Sequence, residues 1–435
     1  MNNQDNKKRV TPKLRFPKFQ TTLGWEVTQL KFICDVLQGN VFPEALQGKK
    51  SGKYPFFKVS DISRSIIDSN GHLSKAANYV DEGDVSKLKA KIIPKNSTVF
   101  AKIGEALRLN RRAYTQSECL IDNNIAALKA TGKANDYFIY QLSQLIDLNN
   151  YFAGAVPSVN KSTLENIEIS FPEIKEQQKI ADCLSSIDEL INLREQKLTA
   201  LKQHKKGLMQ QLFPSHNDLQ ASKQASKQAI VYPKLRFPQF KDCKGWEVVR
   251  ISDLLVEKKC PVKLENETEY CLVTVKRRHG GITLREVAKG KEIKVQSQFR
   301  VFTDDFLISK RQIVHCACGV LPEALDGSIV SNEYSVLNAK ENVNITFFNY
   351  FCHQPIVEKS FLDCSSGIVI EKMLFKLDEW MKQEFYFPKN PKEQQAIADC
   401  LSSLDKLISE ENEQIGRLKD HKKGLMQQLF PIFRN

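Results

Sequence analysis

Apolar residues recur at alternating steps of four and three in two separate segments of the chain, and this spacing predicts two long helices. Polar residues interrupt each series twice, at Arg194 and Lys205 in the first and at Glu411 and Lys422 in the second. A sustained period of 3.5 favours a coiled-coil seam, because a helix packed on its own globular domain drifts toward 3.6. The seam positions are Ile180, Leu184, Ile187, Ile191, Leu198, Leu201, Leu208 and Leu212, then Ile397, Leu401, Leu404, Ile408, Ile415, Leu418, Leu425 and Leu429.

We expect the two helices to pair with each other in antiparallel orientation, because pseudo-twofold symmetry then relates the two halves of the chain. At ~1.5 Å per residue, a helix over 176–213 would be ~57 Å long. Arg194 would then lie opposite Glu411, and a charged pair within the seam can fix the register. The alternative is that each helix packs only on its own domain.

Helix boundaries are also encoded. Asn390 is a suitable N-cap, Pro391 suits the first turn, and Glu393 would complete a capping box. Pro214 and Pro431 predict the ends of the two helices.

One plan occurs twice in the chain. PKLRFPKF at 12–19 recurs as PKLRFPQF at 233–240. Between 176–214 and 393–431, 26 of 39 positions are identical, including an unchanged HKKGLMQQLFP at the end of each block. Because chance cannot produce such a match, the chain is an internal duplication.

The segments between the repeated blocks share little sequence and favour mixed α/β structure. Their aromatic and β-branched runs predict strands, and longer amphipathic runs predict helices. The predicted strands are 54–59, 167–171, 270–275 and 384–387, and the predicted helices are 136–148 and 346–360.

The predicted fold class is therefore α+β, with two globular mixed α/β domains joined by two long helices. The predicted divisions are a basic leader (1–23), a first domain (24–175), a first helix (176–213), a linker with the repeated leader (214–244), a second domain (245–392), a second helix (393–430) and a tail (431–435).

Charge is concentrated in a few places. The net charge is +13, and residues 1–23 (+5) and 214–244 (+4) carry nine of the excess charges. Elsewhere the cations are bunched: 87–112 holds eight Lys and Arg against one Glu, and 276–311 holds ten against four acids. Such bunching indicates a face for a polyanion, although a solvated surface loop would show it too.

Eleven cysteines are scattered along the chain, and we expect free thiols in a reducing compartment. The one local cluster is His315-Cys316-Ala317-Cys318. Zinc sites usually need a second ligand pair, and the sequence spells none, so no metal is expected.

The sequence offers no membrane segment and no catalytic motif. Apolar runs stay short of ~18 residues and the N-terminus is polar, so we expect a cytoplasmic protein. The glycine-rich cofactor loop, the Walker motif and HExxH are missing. An ExK triplet at 292–294 lacks an evident acidic partner for nuclease chemistry. These observations predict a binding scaffold.

Two divergent domains, each followed by an EQ-x-x-IA-x-x-L helix, resemble the specificity (S) subunit of type I restriction–modification systems. YPFFKVSDI at 54–62, IDNNIAAL at 121–128, ISK at 308–310 and GVLPEALDGSIVS at 319–331 support the resemblance, which covers nearly the whole chain.

The resemblance implies two target recognition domains that read a bipartite double-stranded DNA sequence. It also implies docking of two methyltransferase (M) subunits and of restriction/motor (R) subunits. The S subunit would have no catalysis and bind no cofactor; S-adenosylmethionine, ATP and Mg would be used by the partners, with adenine as the usual methylation target. A ~57 Å helix pair could separate half-sites by about one DNA turn, ~34 Å.

Candidate site residues follow from the cation clusters and from the repeat. Arginine commonly pairs with a guanine edge and glutamine with adenine. The DNA-binding candidates are Lys102, Arg108, Arg111 and Arg112 in the first domain, and Lys276, Arg277, Arg278, Lys310, Arg311 and Gln312 in the second. The partner-binding candidates are Lys206, Gln210, Lys423 and Gln427.

Two alternatives stay open at this point. The tandem ASKQ at 221–228 is either a spacer whose copy number sets the gap between half-sites or a linker of no consequence. The whole chain is either a sequence reader or a nucleic-acid-binding coiled-coil adaptor without sequence readout.

Overall fold

The computed structural model describes residues 8–152, 154–214 and 230–431. The tandem ASKQ at 221–228 lies outside these residues. The contacts divide the chain into two compact units, Met1–Leu198 with Glu411–Asn435, and Thr199–Glu410. Within the described ranges, no helix is both long enough and apolar enough to cross a bilayer.

The described part of the first unit contains eleven strands and five short helices, followed by the start of a long one. The strands are β1 (Arg9–Val10), β2 (Trp25–Gln29), β3 (Cys34–Gln38), β4 (Tyr54–Phe57), β5 (His72–Leu73), β6 (Asn78–Val80), β7 (Thr98–Ala101), β8 (Ala113–Thr115), β9 (Leu120–Ile121), β10 (Ile125–Ala130) and β11 (Glu168–Phe171). The helices are α1 (Val59–Asp68), α2 (Glu82–Leu88), α3 (Glu105–Arg108), α4 (Asp136–Gln144), α5 (Lys161–Glu165) and α6 (Ile174–Leu212).

These strands form three sheets, with the orders β1-β2-β11, β3-β10-β7-β8-β5 and β6-β4-β9. Strand β4 is buried at all four positions, as its unbroken run of large apolar residues predicts. It pairs in parallel with β9, with Phe56 opposite Leu120. The main core packs Trp25, Phe100 and Phe138 together with the end of the second long helix, at Leu429 and Phe430.

The other elements that the structure describes follow the linker, and most of them lie in the second unit. The strands are β12 (Glu247–Arg250), β13 (Leu255–Glu257), β14 (Pro261–Val262), β15 (Glu269–Val275), β16 (Ile282–Lys289), β17 (Gln298–Arg300), β18 (Phe306–Ser309), β19 (Cys318–Val320), β20 (Ile329–Ser331), β21 (Tyr334–Ala339), β22 (Ser365–Ser366), β23 (Leu374–Phe375) and β24 (Glu384–Phe387). The helices are α7 (Ile251–Leu254), α8 (Ile345–Phe351), α9 (Pro355–Asp363), α10 (Leu377–Trp380) and α11 (Pro391–Leu429).

Its two larger sheets have the orders β13-β21-β18-β19 and β14-β17-β20-β15-β16, and two pairs, β12-β24 and β22-β23, complete it. Strand β15 pairs in parallel with β20, as β4 does with β9 in the first unit. The main core packs Trp246, Phe347 and Phe387 with the end of α6, at Leu212 and Phe213.

The seams of α6 and α11 face each other within each unit. In the first unit, Lys422 Nζ donates a hydrogen bond to Asp188 Oδ2 at 2.7 Å, and the Arg194 guanidinium donates to Glu411 Oε1. Because the residue number falls along α11 as it rises along α6, this pair is antiparallel. In the second unit Lys205 bonds Asp405 at 2.6 Å. The predicted fold class, two mixed α/β domains with long antiparallel paired helices, is confirmed.

Two local predictions are wrong. The single helix expected over 346–360 is divided into α8 and α9, because Pro355 lacks an N–H and can occupy only the first turn of a new helix. Asn390 does accept from the Lys392 N–H at 3.0 Å, but Glu393 receives two hydrogen bonds from Arg236 instead of closing a capping box.

Candidate nucleic-acid interface

The two units have the same sheet order around one lysine each. Strands β3-β10-β7-β8 correspond to β13-β21-β18-β19. Lys102 follows β7 and Lys310 follows β18. Each donates its backbone N–H at 2.9 Å to the carbonyl of the residue just before the neighbouring strand of the sheet, Asn124 before β10 and Glu333 before β21. Two lysines selected separately from the sequence therefore occupy equivalent places at the end of a central strand.

In the first unit, three of the four candidates remain partly accessible. The Lys102 Nζ donates to Gln38 Oε1, and burial lowers the pKa of this lysine. Arg108 is exposed, with its guanidinium 5.4 Å from the centre of the Phe152 ring. Arg111 is half-buried. The segment between β7 and β8, which includes α3, thus presents accessible cations from one continuous stretch of chain.

Arg112 has a different environment. The residue is only 4% exposed, and its guanidinium lies 4.8 Å from the centre of the Phe100 ring. It donates at 3.0 Å to the Ile146 carbonyl and to Asn110 Oδ1. Burial lowers its pKa to about 10. These contacts assign Arg112 to the interior of the domain and argue against its direct contact with DNA.

In the second unit, the candidates lie on two loops that touch. Residues 276–281 connect β15 to β16, and Arg277 Nε donates to Gln312 Oε1 at 2.8 Å. The Arg278 N–H donates to the His315 carbonyl at 2.7 Å. Arg278 has a φ of +57°, so the loop turns sharply at this point.

The remaining second-unit candidates lie beside these loops. Arg311 is exposed and pairs with Glu333 at 2.7 Å, while Lys310 Nζ donates to the Asn332 carbonyl at 2.8 Å. Lys276 is exposed. The structure therefore brings all six second-domain candidates onto the loops after β15 and β18.

The repeated EQQ motif has a structural role that the sequence reading missed. Arg15, from the PKLRFP leader, forms two hydrogen bonds with the buried Glu176, at 2.8 and 2.7 Å. Arg236 and Glu393 repeat this pair at 2.7 Å in the second unit. The signal in the sequence was that the leader and the EQQ block are both repeated. Each pair joins the leader to the start of the long helix that follows the domain.

The glutamines after Glu176 and Glu393 attach a second element. Gln177 Oε1 accepts from the Asn135 N–H at 3.0 Å, and Gln394 Oε1 accepts from the Asn344 N–H at 2.8 Å. Asn135 and Asn344 are the N-caps of α4 and α8. Each EQQ motif therefore joins the leader, the domain helix and the long helix.

Each copy of HKKGLMQQLFP contains both buried residues that pack in a core and exposed residues. Phe213 and Phe430 are buried in aromatic clusters. Lys205 and Lys422 carry the interhelical bonds described above. The four partner-binding candidates, Lys206, Gln210, Lys423 and Gln427, are exposed and lie one helical turn apart in each copy.

Comparison with known proteins gives a family match over most of the chain. The model of the type I restriction modification DNA specificity domain matches residues 22–203 and 243–419. A relative from Methanocaldococcus jannaschii, named as a "Putative type I restriction enzyme MjaX specificity subunit", is 25% identical over 428 residues. The match covers 93% of this chain and 92% of that protein.

Two solved structures have a similar fold. The S subunit of a type I restriction–modification system from M. genitalium aligns with a TM-score of 0.60 and 13% identity, covering 98% of this chain and 100% of the other. A chain from a study of assembly and conformational transition in the type I system aligns with a TM-score of 0.50 and 14% identity, covering 97% and 100%.

Proposed function

Because this chain belongs to the type I restriction–modification DNA specificity family and is the specificity subunit of such a system, we propose that each domain reads one half of a bipartite double-stranded DNA target. The observation that carries this proposal is the equivalent placement of Lys102 and Lys310 on the same sheet order. Two cationic loops at matching positions suit two separate readings of the same polymer.

The second domain contains the clearest candidates for base contacts. Arg277 and Gln312 lie side by side, and both side chains belong to types that form paired hydrogen bonds with purine edges, Arg with guanine and Gln with adenine. We assign these two residues to base contacts. Lys276, Arg278, Lys310 and Arg311 would contact phosphates and position the loops, as Lys102, Arg108 and Arg111 would in the first domain.

A methylation map tests this assignment. The chain is produced with its methyltransferase in cells, and modified positions are read by modification-sensitive sequencing. Replacing both Arg277 and Gln312 by Ala should relax one half of the recognised motif, with a cost of ~1–3 kcal/mol per lost base contact. The other half, read by the first domain, should remain unchanged.

The matched control is Arg285→Ala, which removes an exposed arginine of β16 that pairs with the adjacent Glu286. This variant should leave both halves of the motif intact. The assignment is wrong if the double variant and the control give the same map. A methylation pattern with no consensus at all would instead support an adaptor without sequence readout.

We further propose that the subunit is a scaffold for two methyltransferase subunits and for restriction/motor subunits, in the cytoplasm, where its DNA substrate lies. Adenine methylation with S-adenosylmethionine, and cleavage with ATP and Mg, would belong to those partners. The family match supports this assignment, since specificity subunits are generally non-catalytic.

The exposed parts of the repeat are the proposed docking sites. Two copies of one surface suit two copies of one partner. Replacing Lys206 and Gln210 together, or Lys423 and Gln427 together, should each lose one methyltransferase copy in native mass spectra. Full occupancy in both variants would mean that the repeat serves packing alone. Lys202→Ala, an exposed change on the same helix, is the control and should retain both copies.

A further inference from the structure

The fold assembles a cluster of metal-ligating side chains that is dispersed in the sequence. His279 lies in the loop between β15 and β16, Cys316 follows the short helical turn Ile313–His315, and Glu358 lies on α9. One potential ligand atom from each residue lies within 4.8 Å of the other two. This was the only group of three or more such residues found within the described ranges.

Backbone hydrogen bonds hold this arrangement in place. The His279 N–H donates to the Cys316 carbonyl at 2.9 Å, directly after the bond from Arg278 to His315. On the side-chain level, His279 Nε2 lies 2.9 Å from Glu358 Oε1. Three separate elements are therefore already in contact around one imidazole.

The second nitrogen of this imidazole is also occupied. His279 Nδ1 lies 3.8 Å from the buried Cys318 Sγ, and the His353 ring stacks on the His279 ring at a centroid distance of 3.9 Å. A ligating histidine usually has its other ring nitrogen held by a neighbouring group, which fixes the ring and its tautomer. Cys318 can supply this contact and leave Nε2 for a cation.

We propose that His279 Nε2, Cys316 Sγ and the Glu358 carboxylate form a binding site for a divalent cation of the zinc type. A thiolate and an imidazole select zinc over magnesium or calcium, which prefer oxygen ligands alone. Tetrahedral zinc places its ligand atoms ~3.3–3.6 Å apart, so the observed cluster needs only small side-chain rotations. The sequence predicted no metal because no second ligand pair lies near His315–Cys318. The proposed site instead takes two of its ligands from distant segments of the chain.

Binding would have a local structural consequence. The Cys316 thiol would lose its proton to solvent as the sulfur–metal bond forms, and water would complete the coordination. The cation would then tie the loop 276–281 to α9. Since that loop carries Lys276, Arg277 and Arg278, zinc would reduce the motion of the proposed DNA-contacting group.

The test uses the untagged full-length chain, kept reduced, with zinc alone as the probe. After equilibration with zinc and dialysis, we expect one equivalent by elemental mass spectrometry. Cobalt should give thiolate-to-metal charge-transfer absorption. Cys316→Gly removes the thiol at a residue whose φ is +56°, a conformation that glycine adopts freely, so this variant should fold.

Affinity for zinc should fall at least ~100-fold in Cys316→Gly, since loss of a mere outer-shell partner costs ~10–100-fold. Glu358→Gln is a second variant that removes the carboxylate charge and should also weaken binding. Cys271→Ser, an exposed thiol on β15, is the matched control and should bind as the wild type does.

Zinc should also slow hydrogen exchange in residues 276–281 of the wild-type chain and not of Cys316→Gly. The proposal is overturned if the reduced wild-type chain binds no more zinc than Cys316→Gly does. It is also overturned if the cobalt complex lacks thiolate absorption. The site does not depend on the proposed DNA contacts, because its primary measurement is metal stoichiometry.

Discussion

Truncating Phe430 should destabilise the first unit strongly, although this residue lies almost at the end of the chain. Its ring is only 2% exposed and packs 5.3 Å from the ring of Phe138 and 5.8 Å from that of Trp25. Replacing a buried phenylalanine by alanine costs ~3–5 kcal/mol, since both transfer energy and packing are lost. We expect this loss for Phe430→Ala.

The repeat supplies a matched experiment in the second unit. Phe213 is the equivalent residue. Its ring stacks on that of Phe347 at a centroid distance of 5.6 Å and meets that of Trp246 edge-on at 5.7 Å. Phe213→Ala should therefore cost a similar ~3–5 kcal/mol. The two variants differ in which unit they affect, and this difference tests the assignment of each helix end to its unit.

Hydrogen exchange read by mass spectrometry is the suitable assay, because a chain with two units need not unfold in one step. Phe430→Ala should accelerate exchange in peptides that contain Phe138, and Phe213→Ala in peptides that contain Phe347. Phe32→Ala, at a residue 55% exposed, is the control and should change little. If either core variant lowered the free energy of unfolding of its unit by less than ~1 kcal/mol, the proposed packing role of Phe213 and Phe430 would be refuted.

Arg194→Glu and Glu411→Arg should each weaken the helix pair of the first unit and lower its thermal stability. The double exchange should recover most of the lost stability. Equal losses in all three variants would contradict a role of this pair in fixing the register. Hydrogen bonds from Lys197 and Arg194 hold the pKa of Glu411 below its ordinary 4.5. The stability from this carboxylate is therefore present above pH 4.5 and lost as the pH falls through the lower folded-state pKa, so Glu411→Gln should flatten the acid limb of a melting-temperature profile. Arg15→Ala removes the charged partner of the buried Glu176 and should destabilise the first unit by ~3–5 kcal/mol, read from hydrogen exchange in that unit, while Arg15→Lys should recover part of the loss. An equal loss in both variants would mean that charge contributes nothing.

Much of the architecture is written in contiguous stretches of sequence. The seam from Ile180 to Leu212 and its copy from Ile397 to Leu429 follow from periodicity, and the strands β4 and β15 follow from runs rich in aromatic and β-branched residues. Duplication is visible by direct comparison. These features are local, because a helix or strand period depends on residues only a few positions apart.

Tertiary structure decided the environment of individual polar groups. The sequence placed Arg112 among cations for DNA, and the fold buries it against Phe100. The sequence predicted that Glu393 closes a capping box, whereas in the structure its carboxylate accepts hydrogen bonds from Arg236, 157 residues away. In the sequence Cys316 has no second ligand pair nearby, but the fold places His279 and Glu358 beside it. Burial and pairing set the role of a charged or ligating side chain, and both depend on segments that only folding brings together.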